Sequence, residues 1–366
     1  MLRGVLRTAR YVRSWQSTAD VIVHETEIER DGVRVPATLV LPARSRRPLP
    51  GWIALGGVSR LGRFHPQLRR FANALASSGA AVLVPEIPEW TSLKVPPWVA
   101  APTIRGCLDV LENRPEVRPG KVGLIGFSFG APQVAIAAAR EELADHVAGI
   151  VLFGGYCCLE RIMIYQMTGE HEWDGVDYEL VPDPYGRWVV ASNYLTEVPG
   201  YEDAVDVAAA LHRLAATTSE HRVSAWEPYH DRMIEELRAA LPMNRRALFD
   251  LFATPTTGTR PEREECLGMA IELAGACRRV DPLLEPAPEL AQVSLPTRLI
   301  HGRGDRLIPF TEGLRLMEGL PAVARESLTL TGLIAHSINE APTSLLERVR
   351  EGLTMFGALR GVINTV

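Results

Sequence analysis

The stretch Gly126-Phe127-Ser128-Phe129-Gly130 places a serine between two glycines, where an apolar, strand-like run (121–125) meets a helix-like run (131–140). A sharp strand-to-helix turn leaves little room for side chains at its flanks, so glycine is needed there. Such a turn presents the serine hydroxyl at the end of a strand, where it can act as a nucleophile.

Strand-like and helix-like segments alternate along most of the 366 residues. Apolar or β-prone runs lie at 21–23, 33–35, 38–41, 52–55, 80–84, 147–153, 297–300 and 327–330, and helical patterns lie at 66–77, 100–113 and 344–359. This alternation predicts an α/β fold with a mostly parallel central sheet flanked by helices.

The pattern changes between residues 156 and 291, where strand signals are few and helical stretches recur. This stretch is too long for a loop, so we expect an inserted, mainly helical cap at 156–291. The α/β core then comprises 21–155 and 292–366, preceded by a basic helix at 1–20.

A serine hydroxyl needs a base, and the base needs a group that orients it. Asp305 follows the strand-like run 297–300, and His336 follows the run 327–330. Loops after parallel strands open at one edge of the sheet, where Ser128 is also expected. Taken singly, Asp305 is typical of a turn and His336 of a surface histidine; their shared placement favours a catalytic triad.

The chain order Ser, Asp, His in strand-end loops resembles the α/β-hydrolase superfamily, over residues 20–155 and 292–360. The serine turn also resembles that of dienelactone-hydrolase-like and esterase members. The resemblance implies Ser128 as nucleophile, His336 as base and Asp305 as acid. We expect no cofactor, and no metal site, because His171, His221 and His230 lie too far apart with too few carboxylates at ligand spacing.

The resemblance further implies that the loop Leu55-Gly56-Gly57-Val58-Ser59 supplies part of an oxyanion hole. Many members carry histidine where this chain has Leu55. The expected donors are therefore the amide of Phe129 and that of either Gly57 or Val58.

The leading hypothesis is a serine hydrolase that cleaves a small-molecule carboxylic ester through an acyl-enzyme intermediate. The same triad fits a peptidase, a thioesterase or an acyltransferase, because fold and triad do not define the substrate. A non-catalytic binding protein that kept the fold is a further alternative. The aromatic residues Tyr156, Tyr185 and Trp188 are candidates for a substrate pocket, and equally for the core of the cap.

Composition narrows the classes of partner. The net charge is −5 and no strong basic field points to nucleic acid. Five scattered cysteines without zinc-ligand spacing are typical of reduced thiols in a cytoplasmic protein. The oligomeric state is not readable from the sequence.

The first residues combine arginines with apolar positions, as in Leu2, Arg3, Leu6 and Arg10. Weak contact of residues 1–15 with a membrane surface fits this pattern, and so does a transit peptide. We favour a third reading, in which the helix packs on the surface of its own domain.

Overall fold

The computed structural model describes residues 2–45, 47–333 and 345–366. Within them, eight strands form one sheet. Their bounds are β1 Val21–Arg30, β2 Val33–Pro42, β3 Gly51–Leu55, β4 Ala81–Pro85, β5 Val122–Phe127, β6 Val147–Phe153, β9 Thr297–Gly302 and β10 Arg325–Thr331. Their order across the sheet is β1-β2-β4-β3-β5-β6-β9-β10. The intervening strands β7 (Glu170–Trp173) and β8 (Val176–Glu179) form a separate hairpin.

The sheet is antiparallel at one edge and parallel elsewhere. β1 and β2 are joined at Asp31-Gly32, both with positive φ (51° and 79°), which suits a tight hairpin turn. β2 also pairs antiparallel with β4, and the remaining pairs are parallel. All residues of β3 and β4 are buried, as expected for strands covered on both faces.

Helices cover both faces of the sheet. Because side chains alternate along a strand, Trp52 and Ile125 join one apolar cluster, and Ile53 and Leu124 join the other. The helices of the core are α1 Leu2–Gln16, α2 Pro66–Ser77, α3 Pro88–Thr91, α4 Ala100–Glu112, α5 Gly130–Ala138, α6 Glu141–Ala144, α14 Phe310–Gly319 and α15 Leu345–Ile363. The predicted α/β fold with a mostly parallel sheet is confirmed.

Residues 156–291, the segment predicted to form a cap and called the cap below, contribute a third apolar cluster, built largely from their own side chains, including Tyr165, Trp188, Phe249 and Phe252. The hairpin β7–β8, which the sequence did not indicate, lies within this range. Its helices are α7 Leu159–Thr168, α8 Tyr185–Tyr194, α9 Val205–His221, α10 Asp231–Ala240, α11 Met243–Phe252, α12 Arg263–Val280 and α13 Ala287–Leu290.

The N-terminal helix α1 packs against α2 and α15 and buries Gly4, Thr8 and Tyr11. Tyr11 meets Phe71 of α2 edge to face, with ring centroids 5.7 Å apart. Within residues 2–45, 47–333 and 345–366, no helix combines the length and the apolarity that crossing a bilayer requires.

Candidate active site

The serine turn between β5 and α5 holds its serine in a strained backbone conformation. Ser128 has a φ of 53°, which lies in the left-handed region that residues other than glycine rarely adopt. A Cβ on Gly126 would lie 2.4 Å from the carbonyl oxygen of Gly130, and one on Gly130 would lie 2.3 Å from that of Gly56. Both flanking positions therefore require glycine. Strain of this kind occurs at functional sites that the surrounding structure holds in place.

The β3 loop (residues 56–61) approaches the serine directly. A Cβ on Gly57 would lie 3.0 Å from the Cβ of Ser128 and 3.4 Å from its Oγ. Among the described residues, none accepts a hydrogen bond from the amide N–H of Gly57, Val58 or Phe129. Because free N–H groups next to a nucleophile can stabilise an oxyanion, these three residues remain the candidate donors.

Asp305 lies in the β9 loop (residues 303–309), which follows a strand at the same edge of the sheet. Its side chain is 1% exposed. Its Oδ1 accepts hydrogen bonds from the N–H groups of Leu307 (2.9 Å) and Ile308 (3.0 Å), and its Oδ2 lies 3.8 Å from Nε2 of His301. The carboxylate is therefore buried and fixed in orientation by its own loop.

His336, the predicted base, lies outside the described residues. The meeting of Ser128, Asp305 and His336 remains a prediction.

Two segments of the cap contact the loops at this edge. The Tyr185 hydroxyl, at the start of α8, donates a hydrogen bond to the carbonyl of Val58 at 3.0 Å. Two residues earlier, the N–H of Asp183 donates to the carbonyl of Arg306 at 2.8 Å. The carbonyl of Arg306 also accepts from the hydroxyl of Tyr165 at 2.9 Å. The start of α8 thus connects the β3 loop with the β9 loop.

The second segment comprises the last turn of α9 and the residues that follow it. The hydroxyls of Ser219 and Ser59 lie 3.1 Å apart, and the N–H of Arg60 donates to Ser219 at 2.9 Å. Farther along the same segment, the ring of Trp226 lies 4.7 Å from the guanidinium of Arg306. This segment also connects the two loops, so two parts of residues 156–291 contact the edge of the sheet that holds Ser128.

The three predicted pocket residues occupy different environments. Tyr185 is in contact with the β3 loop. Trp188 is 1% exposed and donates its indole N–H to the carbonyl of Phe252 at 2.8 Å, inside the cap's apolar cluster. Tyr156 is also buried there, and its hydroxyl donates to the carbonyl of Leu284 at 2.9 Å. A role for these residues in substrate binding remains a prediction.

A buried carboxylate that the sequence did not reveal holds the start of the cap. Oε2 of Glu312, in α14, accepts hydrogen bonds from the N–H groups of Cys157 (3.0 Å) and Cys158 (2.9 Å). Burial raises the pKa of Glu312, although these bonds and Arg315 oppose the increase. No local motif points to this residue, because its partners lie 154 and 155 positions away.

No group of histidine, cysteine and acidic side chains able to hold a metal ion is found in the described part of the chain.

No protein-family model and no curated protein matches the sequence. Similar solved structures include dienelactone hydrolase from Anabaena variabilis, at 15% identity, with 94% of this chain and 98% of that chain covered and a TM-score of 0.47. Est1E from Butyrivibrio proteoclasticus matches at 14% identity, with 92% and 99% covered and a TM-score of 0.47. Acylaminoacyl peptidase from Pyrococcus horikoshii matches at 12% identity, with 94% of this chain but 42% of that chain covered and a TM-score of 0.49.

Three features together are typical of a single fold. They are the strand order of the sheet, the strained Ser128 between β5 and α5, and the β3 loop beside that serine. From these features, this chain has the fold of the α/β-hydrolase superfamily.

Proposed function

We propose that this protein is a serine hydrolase that cleaves a carboxylic ester through an acyl-enzyme intermediate. The observation that carries the proposal is the strained conformation of Ser128 (φ 53°), whose hydroxyl is next to the backbone of Gly57. A serine adopts such an unfavourable backbone conformation where the turn must present its hydroxyl to a substrate.

In the proposed reaction, Oγ of Ser128 attacks the ester carbonyl while His336 takes its proton. Asp305 orients the imidazole and stabilises the imidazolium. The amides of Phe129 and of Gly57 or Val58 stabilise the oxyanion, and loss of one such donor typically costs about 3 kcal/mol. His336 returns the proton to the leaving alkoxide, and water then releases the acyl group by the same steps. Burial of Asp305 and its two backbone hydrogen bonds suit the orienting role.

Labelling with a fluorophosphonate probe tests the nucleophile. We expect the wild type to be labelled and Ser128→Ala to be unlabelled. Ser192→Ala is the matched control, because this cap serine donates its hydroxyl to the carbonyl of Val189 and is expected to label normally. Absence of labelling in folded wild type would contradict the proposal and favour a binding protein.

A substrate panel tests the ester assignment. We expect hydrolysis of p-nitrophenyl esters, with a preferred acyl length, and weaker turnover of matched thioesters and aminoacyl amides. His336→Ala is expected to lose most of kcat with the fold intact. Faster turnover of thioesters or amides than of esters would indicate a thioesterase or a peptidase instead. Near-normal turnover by His336→Ala would exclude this residue as the base.

A further inference from the structure

The N-terminal helix α1 exposes an apolar face instead of burying it. It packs through Gly4, Thr8 and Tyr11, whereas Leu2 and Leu6 are 73% and 53% exposed. These two leucines share one side of the helix, since residues four positions apart lie one above the other. Leucine side chains that remain in water contribute none of the stabilisation that their burial would supply.

The same surface is strongly basic. α1 and its neighbour α2 contain no aspartate or glutamate, and their arginines are Arg3, Arg7, Arg10, Arg13, Arg69 and Arg70. Burial lowers the pKa of Arg7, and the positive charges of Arg3 and Arg118 lower it further. In a chain of net charge −5, this is a marked segregation of positive charge.

These seven arginines form no ion pair with any carboxylate of the described residues. Elsewhere on the surface arginines are commonly paired, as Arg232 is with Glu236 at 2.8 Å and Arg238 with Asp250 at 2.7 Å. Arg7 and Arg70 instead donate to the backbone carbonyls of Ser78 (3.1 Å) and Trp15 (2.6 Å). No carboxylate of the described residues therefore neutralises the arginines of this face by direct contact.

A depression of about 360 Å³ lies between the end of α1 and the start of α2. Its lining includes Ser14, Ser17, Arg69 and Arg70, and also Phe64, which is 49% exposed. The guanidinium groups of Arg69 and Arg70, beside an exposed aromatic ring, offer hydrogen bonds to a phosphate and an apolar contact next to it.

We propose that the α1–α2 face (Leu2, Arg3, Leu6, Arg10, Arg13, Phe64, Arg69 and Arg70) docks on an anionic phospholipid surface. Leu2, Leu6 and Phe64 enter the boundary between headgroups and acyl chains, and the arginines contact the phosphates. Charge complementarity selects an anionic surface, and the exposed leucines select a membrane over a nucleic acid. The proposal is independent of the hydrolase reaction.

Cosedimentation of the full chain with vesicles tests this proposal. We expect binding to vesicles that contain phosphatidylglycerol, little binding to pure phosphatidylcholine, and loss of binding in high salt. Arg3→Gln/Arg10→Gln/Arg13→Gln and, separately, Leu2→Ser/Leu6→Ser should each lower the partition coefficient by roughly tenfold or more. The control Arg34→Gln/Arg232→Gln removes two exposed arginines that are paired elsewhere and should bind normally.

Circular dichroism and thermal melting establish that each variant is folded, and all substituted positions are solvent-exposed. Equal affinity for neutral and anionic vesicles, no binding to either, or unchanged binding by both folded variants would overturn the proposal. So would salt-sensitive binding to duplex DNA that is stronger than vesicle binding and unaffected by Leu2→Ser/Leu6→Ser, since it would assign the face to a nucleic acid.

Discussion

The hydroxyl of Tyr185 donates a hydrogen bond to the backbone carbonyl of Val58 at 3.0 Å. This bond links residues 127 positions apart and fixes the β3 loop from the side of the cap. Burial raises the pKa of Tyr185, so its hydroxyl stays protonated and able to donate at neutral pH. We therefore expect the position of residues 156–291 and that of the candidate oxyanion donors to be coupled.

We expect Tyr185→Phe to reduce kcat for ester hydrolysis several-fold, because the β3 loop loses a bond that holds it beside Ser128. Stability should fall by about 1 kcal/mol, the usual contribution of one hydrogen bond. Steady-state kinetics and urea unfolding measure the two effects. Tyr229→Phe is the control, since this exposed cap tyrosine bonds to His221. Unchanged kcat in Tyr185→Phe would remove the proposed coupling.

Gly57→Ala should lower kcat without unfolding the protein. The added methyl group would lie 3.0 Å from Cβ of Ser128, tighter than ordinary contact, so the loop must shift by a few tenths of an ångström. Displacement of an oxyanion donor reduces kcat by roughly a hundredfold. The control is Gly268→Ala, in the helix α12, where a methyl group meets no atom within 4 Å. If Gly57→Ala turned over esters at the wild-type rate, the β3 loop would not supply the oxyanion donor.

Gly130→Ala is expected to act on the fold itself. Its methyl group would lie 2.3 Å from the carbonyl oxygen of Gly56, a backbone atom that cannot move alone. We expect a loss of about 3 kcal/mol in the free energy of unfolding, at the upper end for overpacked sites. Urea unfolding measures it, again beside Gly268→Ala. A free energy of unfolding equal to that of wild type would mean that Gly130 does not lie this close to the carbonyl of Gly56.

His171 should make the stability of the cap sensitive to acid. Burial and the charge of Arg315 lower the pKa of His171 from 6.5 to about 4. Between these two pKa values the unfolded chain binds more protons than the folded one. The free energy of unfolding is therefore largest above pH 6.5, as far as His171 determines it, and decreases as the pH falls towards 4.

His171→Phe tests this linkage, because it keeps an aromatic ring to stack on Tyr178 and removes the titrating group. Urea unfolding from about pH 4 to pH 7 should show a smaller decrease for the variant than for wild type. His24→Phe, on an exposed part of β1, is the matched control. Parallel pH profiles for wild type and His171→Phe would contradict the lowered pKa.

Local sequence determined the serine turn and the elements around it. The glycines at 126 and 130 and the apolar runs beside them are short-range signals, so the predicted strand 147–153 and helix 66–77 match β6 and α2. Boundaries differ where neighbours add pairing: the run 297–300 extends to Gly302 because β10 continues beside it.

The tertiary structure decided everything that depends on distant partners. That Tyr185 meets Val58, that Trp188 turns into the cap's own cluster and that Glu312 holds the residues at 157 and 158 follow from packing between segments more than 60 positions apart. The sequence likewise placed leucines and arginines on α1, but only its docking through Gly4, Thr8 and Tyr11 determined that Leu2 and Leu6 face outwards. Turn glycines and hydrophobic periodicity are local properties of a chain, whereas burial is a property of the assembled fold.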